Sequence, residues 1–350
     1  MRNIVNANEF LKAMNKVNKA TTKKSVLPIL EEIKVDFTEN KCILTATNLN
    51  QSIVSEIEAS GNTFSFVFKN TKDILKASKY FDNDLVFDFE DKIITLNSNK
   101  KSCKQTTFLA DDFPVTPEIE FENIYSMNVT SLNDRYNKIK YATSKDESKP
   151  MLTGVCFREN KMIALDGFRM AINTDDSLTV NSEFIVPQEA LKLLSIYDKN
   201  INVKMQVNHK FLSITDGSTK VITRLIEGEY FKTDQIIPAD STEVYNIQIE
   251  QYEKELKYLN EFTKEIKNHE VKFENGKLTC KDFDGEYTAN VDFGIDSNIV
   301  YGFDCNYMLD ALSQFKGYKK AEYKLKSHVA PITIVSGNDL ALVLPVRIAS

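Results

Sequence analysis

Lys149-Pro150-Met151-Leu152-Thr153-Gly154-Val155-Cys156-Phe157, continuing through Arg158-Glu159-Asn160-Lys161 to Ala164-Leu165-Asp166-Gly167-Phe168-Arg169-Met170-Ala171, decides the fold because the chain writes it more than once. Near the N-terminus, Leu27-Pro28-Ile29-Leu30 leads to Phe37-Thr38-Glu39-Asn40-Lys41 and then Leu44-Thr45-Ala46-Thr47, in the same order of apolar and polar residues. A fainter copy is Phe273-Glu274-Asn275-Gly276-Lys277-Leu278-Thr279. Phe37 to Phe157 is a step of 120 residues and Phe157 to Phe273 one of 116. Self-similarity at that period predicts three versions of one domain, at 1–121, 122–243 and 244–350, rather than one large core.

The 350 residues are 42% hydrophobic and 27% charged with only 11 glycines, the composition of an ordinary globular protein. No apolar run approaches the roughly 20 residues of a membrane helix. Met1-Arg2-Asn3-Ile4-Val5 is followed by polar residues instead of a signal-peptide stretch, so the expectation is a cytoplasmic protein without a membrane partner. Cys42, Cys103, Cys156, Cys280 and Cys305 are odd in number and never spaced C-x-x-C, which argues against a disulfide framework and a zinc site and predicts small buried residues. His209, His269 and His328 are isolated. A net charge of −6 speaks against coating nucleic acid over the whole surface but leaves a local basic patch open.

Each third reads as helix, strands, helix, strands. In the first, Phe10, Ala13, Met14 and Val17 form the apolar stripe of a helix, which puts Lys12, Lys16 and Lys19 on the opposite side. Segments of period two follow to Phe68, and then Lys69, Lys72, Lys76 and Lys79 share a face of a second helix with Ile74 and Leu75 turned away. In the second third, Leu132, Tyr136 and Ile139 are the buried face, with Arg135, Lys138 and Lys140 expected exposed; the second helix starts after Ile185-Val186-Pro187, a proline that suits a helix start, and runs from Gln188 through Leu194. In the last, Tyr252, Leu256 and Leu259 face the core with Lys254 and Lys257 opposite, a helix lies around Asn306–Leu312, and the chain ends in one strand, Leu340 to Ile348. Glu227-Gly228-Glu229-Tyr230-Phe231 stands where Ala110-Asp111-Asp112-Phe113-Pro114 stood.

Chemistry is sparse. There is no Gly-rich phosphate loop, no H-E-x-x-H and no G-x-S-x-G. An enzyme reading, a hydrolase, starts from Asp166; against it, Asp-Gly is a common turn dipeptide and the matching place in the first copy holds Asn48. A repeat scaffold that binds peptides and never DNA is the other competitor. The lysine faces recur on one class of element in a chain that is acidic overall, a distribution that attracts phosphates without reading bases.

The chain resembles the bacterial sliding-clamp family, the beta subunits of DNA polymerase III, from end to end. The resemblance rests on Leu27-Pro28-Ile29-Leu30, Asp112-Phe113-Pro114, Lys149-Pro150-Met151-Leu152-Thr153-Gly154 and Asp166-Gly167-Phe168-Arg169-Met170-Ala171, with Arg224-Leu225-Ile226-Glu227-Gly228 and Leu344-Pro345-Val346-Arg347-Ile348. It implies an α+β chain of three repeated DNA-clamp domains, each with two helices packed on antiparallel sheets, and a head-to-tail homodimer forming a ring around duplex DNA. It implies a processivity factor with no catalytic residue, cofactor or metal. Its partners would be the alpha subunit of the replicative polymerase, the clamp loader, repair proteins and others bearing a clamp-binding motif.

The resemblance also implies a hydrophobic peptide pocket. Its first part would be Leu152, Leu165, Gly167, Phe168, Arg169, Met170, Phe231, Gln235, Ile236, Leu342 and Leu344; its second, Asp304, Tyr307, Val329, Pro345, Val346 and Arg347. Lys24, Lys69 and Lys149 match basic DNA-facing positions, with Asn70 next in line; Lys12, Lys16, Lys72 and Lys76 join them from the lysine faces. The chain departs from the family pattern at several places. Gln188 and Glu189 stand where a basic residue is frequent, Phe231 replaces a proline and Asp304 an asparagine. Cys103 and Gln105 replace larger apolar residues at the dimer joint, and Ala349 and Ser350 extend towards the pocket.

Overall fold

Asn6 accepts hydrogen bonds from the backbone N–H groups of Asn8 and Glu9 at 3.0 and 3.1 Å, and this cap starts the first helix immediately after a strand. Phe10, Ala13, Met14 and Val17 are all buried on its inner side. The Phe, Met and Val side chains are worth about 1.5–3 kcal/mol each when fully buried, so the stripe rather than intrinsic propensity fixes the helix.

The computed structural model describes residues 1–116, 119–281, 285–290 and 297–348. The element order recurs three times as strand, helix, four strands, helix, three strands. The first run is β1 (Arg2–Asn6), α1 (Ala7–Val17), β2 (Lys34–Phe37), β3 (Lys41–Thr47), β4 (Gln51–Gly61), β5 (Phe64–Phe68), α2 (Thr71–Ser78), β6 (Asp84–Glu90), β7 (Ile93–Ser98) and β8 (Lys101–Phe108). The second is β9 (Asn123–Asn128), α3 (Val129–Ile139), β10 (Gly154–Arg158), β11 (Lys161–Leu165), β12 (Arg169–Thr174), β13 (Phe184–Pro187), α4 (Gln188–Lys192), β14 (Asn202–Val207), β15 (Phe211–Thr215) and β16 (Thr219–Arg224). The third is β17 (Glu243–Gln248), α5 (Ile249–Asn260), β18 (Glu270–Glu274), β19 (Lys277–Lys281), β20 (Glu286–Asn290), β21 (Tyr301–Asp304), α6 (Cys305–Ser313), β22 (Lys320–Leu325), β23 (Ile332–Ser336) and β24 (Asp339–Val343), followed by β25 (Pro345–Val346).

Two compact units result, Met1–Thr130 with Glu189–Leu225, and Ser131–Gln188 with Ile226–Ser350. In the first unit, β1 pairs with both β6 and β4, so the eight strands of the first run close on themselves, and β16, β15, β14 and β9 extend from β4. The second unit holds an eight-stranded sheet in the order β13-β10-β11-β12-β24-β23-β22-β17 and a five-stranded sheet β20-β19-β18-β21-β25. All pairings are antiparallel, as the period-two segments require. Aromatic rings dominate the cores: Phe10 and Phe37 both meet Phe87 edge-on in the first unit, and in the second Tyr323 meets Tyr252 edge-on and Tyr301 at a tilt. Cys42, Cys156, Cys280 and Cys305 are buried as expected, and burial pushes the Cys156 and Cys305 thiols up to about 12.

Three expectations are corrected. Arg135 is not exposed: it is 4% accessible, and its guanidinium donates to Asn173 Oδ1 at 2.7 Å and to the Asn160 carbonyl at 2.9 Å. The final strand is two strands, because the chain leaves the β12–β24 sheet at Leu344 and resumes in the other sheet with Val346 opposite Gly302. Cys103, expected to be buried with the other cysteines, is only half-buried on β8, whereas α4 begins after Pro187 as expected.

Candidate functional site: an apolar cleft and basic helix faces

The hairpin between β11 and β12 carries Leu165, Gly167, Phe168, Arg169 and Met170, five of the residues expected at the peptide pocket. Asp166 Oδ1 accepts the backbone N–H groups of Phe168 and Arg169, both at 2.9 Å, and Gly167 supplies the positive φ of 95° that the turn needs. Asn48 makes the same turn in the first run, accepting from Asn50 and Gln51. The other Asp166 oxygen takes Arg169 Nε at 2.9 Å, so both oxygens serve the turn and its arginine. This is a structural carboxylate, and the hydrolase reading loses its nucleophile. Among the described residues no group of three or more His, Cys, Asp or Glu side chains is arranged to hold a metal.

The turn throws Phe168 outward, 57% exposed, and lays its ring 5.8 Å from that of Tyr307 on α6. Arg169 lies over Tyr307, its guanidinium carbon 4.3 Å from that ring centroid and 5.6 Å from that of Tyr141. Its Nη1 is bonded to Asp310, one turn of α6 beyond Tyr307. Burial works against the Arg169 charge, but the hydrogen bonds and fields of Asp166 and Asp310 outweigh it and hold the guanidinium above its ordinary value. Asp310 and Tyr141 were not among the residues anticipated. The spacing of Tyr307 and Asp310 on one helix face was the available signal.

Below the hairpin, Leu152, Leu165, Met170 and Leu342 are buried in one cluster with Cys156, Ile163, Ile172, Ile185 and Tyr230, and Ile236 and Leu344 pack against it half-buried. The Leu344 N–H donates to the Phe168 carbonyl at 2.8 Å, which ties the C-terminal segment to the hairpin. Phe231 is 43% exposed, and its carbonyl is held by Arg158 Nη2 at 3.0 Å. Pro345 and Val346 are half-buried in β25; Gln235, Val329 and Arg347 are exposed. Asp304 is buried and turned away from solvent: it caps α6, accepting from Asn306 and Tyr307 at 2.9 and 3.1 Å. Burial is the main reason its carboxyl sits above the usual range, against those bonds. Ala349 and Ser350 lie outside the described residues.

The candidate phosphate-contacting residues fall into two groups. Lys12, Lys24, Lys69, Lys72, Lys76 and Lys149 are exposed. Lys24 holds a positive φ of 60°, Lys69 Nζ lies 5.3 Å from the Phe108 ring centroid and Lys76 pairs with Asp73 at 3.0 Å. Asn70 and Lys16 are engaged. Asn70 is the N-cap of α2, accepting from the Asp73 N–H at 3.1 Å and donating to the Asp73 carboxylate at 2.7 Å. Lys16 is half-buried and donates to Thr219 Oγ1 at 3.2 Å.

Residues 1–117 match the family model described as DNA polymerase III beta subunit, N-terminal domain, and residues 126–232 the one described as DNA polymerase III beta subunit, central domain. The chain belongs to the DNA polymerase III beta subunit family. Proteins named "Beta sliding clamp" are similar over nearly the whole length: that of Streptococcus pneumoniae serotype 4 is 25% identical with 98% of each chain covered, and that of Staphylococcus aureus strain Mu50 is 24% identical with 97% covered. The fold matches the crystal structure of the Bacillus subtilis DNA polymerase sliding clamp with a TM-score of 0.90 at 19% identity, covering 100% of both chains. It matches the Thermotoga maritima DNA polymerase III beta subunit at 0.88 and 21%, again over 100% of both. Family membership thus rests on sequence, and the neighbours show that the sliding-clamp fold of helices on antiparallel sheets is kept at low identity.

Proposed function

We propose that this chain is the sliding clamp of a cytoplasmic replicative polymerase: two copies close head to tail around duplex DNA, catalyse nothing themselves, and tether polymerase, clamp loader and repair proteins through the apolar cleft. In this reading the thrice-recurring element order corresponds to three clamp domains, 1–121, 122–243 and 244–350. The observation that carries it is that recurrence, in a member of the beta-subunit family, with Lys12 on α1 and Lys69, Lys72 and Lys76 at α2 exposed while the whole chain carries −6. Positive helices facing a shared axis hold a polyanion by enclosure, so contact with phosphates is diffuse, independent of sequence and compatible with sliding. The second copy would pair at open sheet edges: among the described residues, 101–106 of β8 are bonded only to β7, and β20 only to β19. The half-buried Cys103 and Gln105 lie on that β8 edge.

The cleft fits a short apolar peptide. Its floor is buried leucine and methionine, its walls are the rings of Phe168, Tyr307 and Phe231, and Arg169 is the fixed polar group. Reversing Lys69, Lys72 and Lys76 together to glutamate is expected to lower loading on DNA by about tenfold or more and to shift its salt dependence by about three phosphate contacts. Loading assays across a salt series check this. An unchanged salt slope would show that α2 does not face DNA.

A further inference from the structure

Two lysines expected on solvent-facing helix sides are drawn instead across strand seams. Lys16 is the tenth residue of α1 and Lys138 the tenth of α3, so the two are equivalent in the repeat. In the first unit, β4 meets β16 with Ser55 opposite Thr219. Lys16 Nζ donates to Thr219 Oγ1 at 3.2 Å and stands 3.9 Å from Asp216, while the hydroxyls of Ser55 and Thr219 are 3.3 Å apart. In the second unit, β12 meets β24 with Asn173 opposite Asp339. Lys138 Nζ donates to Asp339 Oδ2 at 2.6 Å, and Asn173 Nδ2 donates to the other Asp339 oxygen at 2.7 Å. Thr219 and Asp339 each open their strand, and each receives the lysine from the helix and a polar partner from the strand across the seam.

The second instance is the more demanding chemically. The Asp339 side chain is fully inaccessible, so its charge requires a cation; Lys138 provides one and lies 5.3 Å from the Tyr318 ring centroid. Gln314 and Arg135 complete the surroundings: Gln314 Nε2 donates to the Ile172 carbonyl, on the other side of the seam from its own helix, and Arg135 orients Asn173. Backbone hydrogen bonds join the two strands and the apolar stripe seats the helix on the sheet. A lysine anchored in the helix and bonded to the far strand adds a direct tie across the seam. At the tenth position of α5 the third copy has Tyr258, 47% exposed and packed edge-on against Phe262, so the device is confined to the two seams made within the chain.

We propose that Lys16 and Lys138 are seam staples, positioning residues that lock the first helix of one repeat to the opening residue of a strand supplied by the next, and that their charge serves the joint instead of a bound polyanion. The test is amide hydrogen exchange on the full chain, without DNA, for Lys16→Met, Lys138→Met and Lys12→Met. Lys138→Met strands a buried carboxylate, and exchange along β12 and β24 is expected to accelerate by on the order of 100-fold. Lys16→Met loses bonds to a neutral hydroxyl and a more distant acid, and β4 and β16 should accelerate by about three- to tenfold. Lys12→Met, on the same helix but in solvent, should leave both seams as in the unaltered chain. Because Lys138→Met alone could prevent folding, the double variant Lys138→Met/Asp339→Asn, whose amide needs no counter-ion, is expected to fold and to recover part of the lost protection. Unaltered exchange at the seams in Lys16→Met and in the folded Lys138 variants, or equal acceleration by Lys12→Met, would overturn the proposal.

Discussion

Arg169→Ala is expected to lose peptide binding by 100-fold or more and to cost the fold about 2–4 kcal/mol, the largest effect of any single substitution in the cleft. The guanidinium is the one group that touches every part of that wall: it bonds Asp166 in the hairpin, bonds Asp310 on α6 and covers the Tyr307 face at 4.3 Å. Its removal leaves two carboxylates without their cation and a ring without its cover. Asp166 keeps its two backbone N–H bonds, which limits the stability loss, but nothing then sets the gap between Phe168 and Tyr307. Arg169→Lys should recover the charge and little of the affinity, because an ammonium cannot lie flat on the ring while reaching both acids. Peptide titration beside thermal unfolding checks both parts. Retained affinity in the alanine variant would remove Arg169 from the site.

Truncation after Val343 is the second large effect. It deletes Leu344, whose N–H bonds the Phe168 carbonyl and whose side chain packs on the cleft floor, together with β25, which covers the β21 edge. β24 ends at Val343 and keeps its ladders to β12 and β23, so the sheet survives the cut. Peptide affinity is expected to fall at least 100-fold, while solution mass still reports a dimer and the melting temperature drops by only a few degrees. Full peptide affinity in the truncated chain would show that the C-terminal segment is not part of the cleft.

Much of the fold was legible because it depends on local periodicity. The stripe of Phe10, Ala13, Met14 and Val17 and the alternating strands need no knowledge of distant residues, and the Asn48 and Asp166 turns follow from side chains that bond their own backbone. The peptide cleft is assigned through family resemblance more than through physics: Leu152, Leu165, Met170 and Leu342 look like any core residues, whereas Phe168, Phe231 and Val329 are exposed apolar side chains. Long cations were where sequence reasoning failed. Arg135 falls beside the buried face of its helix, three residues after Leu132 and four before Ile139, whereas Lys138 has the spacing of a solvent-facing residue and its fate is decided by Asp339, some 200 residues beyond it. No helical period carries that information. The break at Leu344 was hidden likewise, since an apolar run reads as one strand until the sheet it must join is known. The Asn70 cap was readable in principle from an asparagine three residues before an aspartate at a helix start.

The claim on which the account depends is that DNA is held by enclosure. It is tested most directly by loading the chain, with a clamp loader, onto a nicked circular duplex, washing at high salt, and then cutting the circle once. Retention on the circle followed by prompt loss from the ends after cutting is the predicted result. Equal loss before and after cutting would contradict it, because a protein that grips phosphates does not sense whether the duplex has an end.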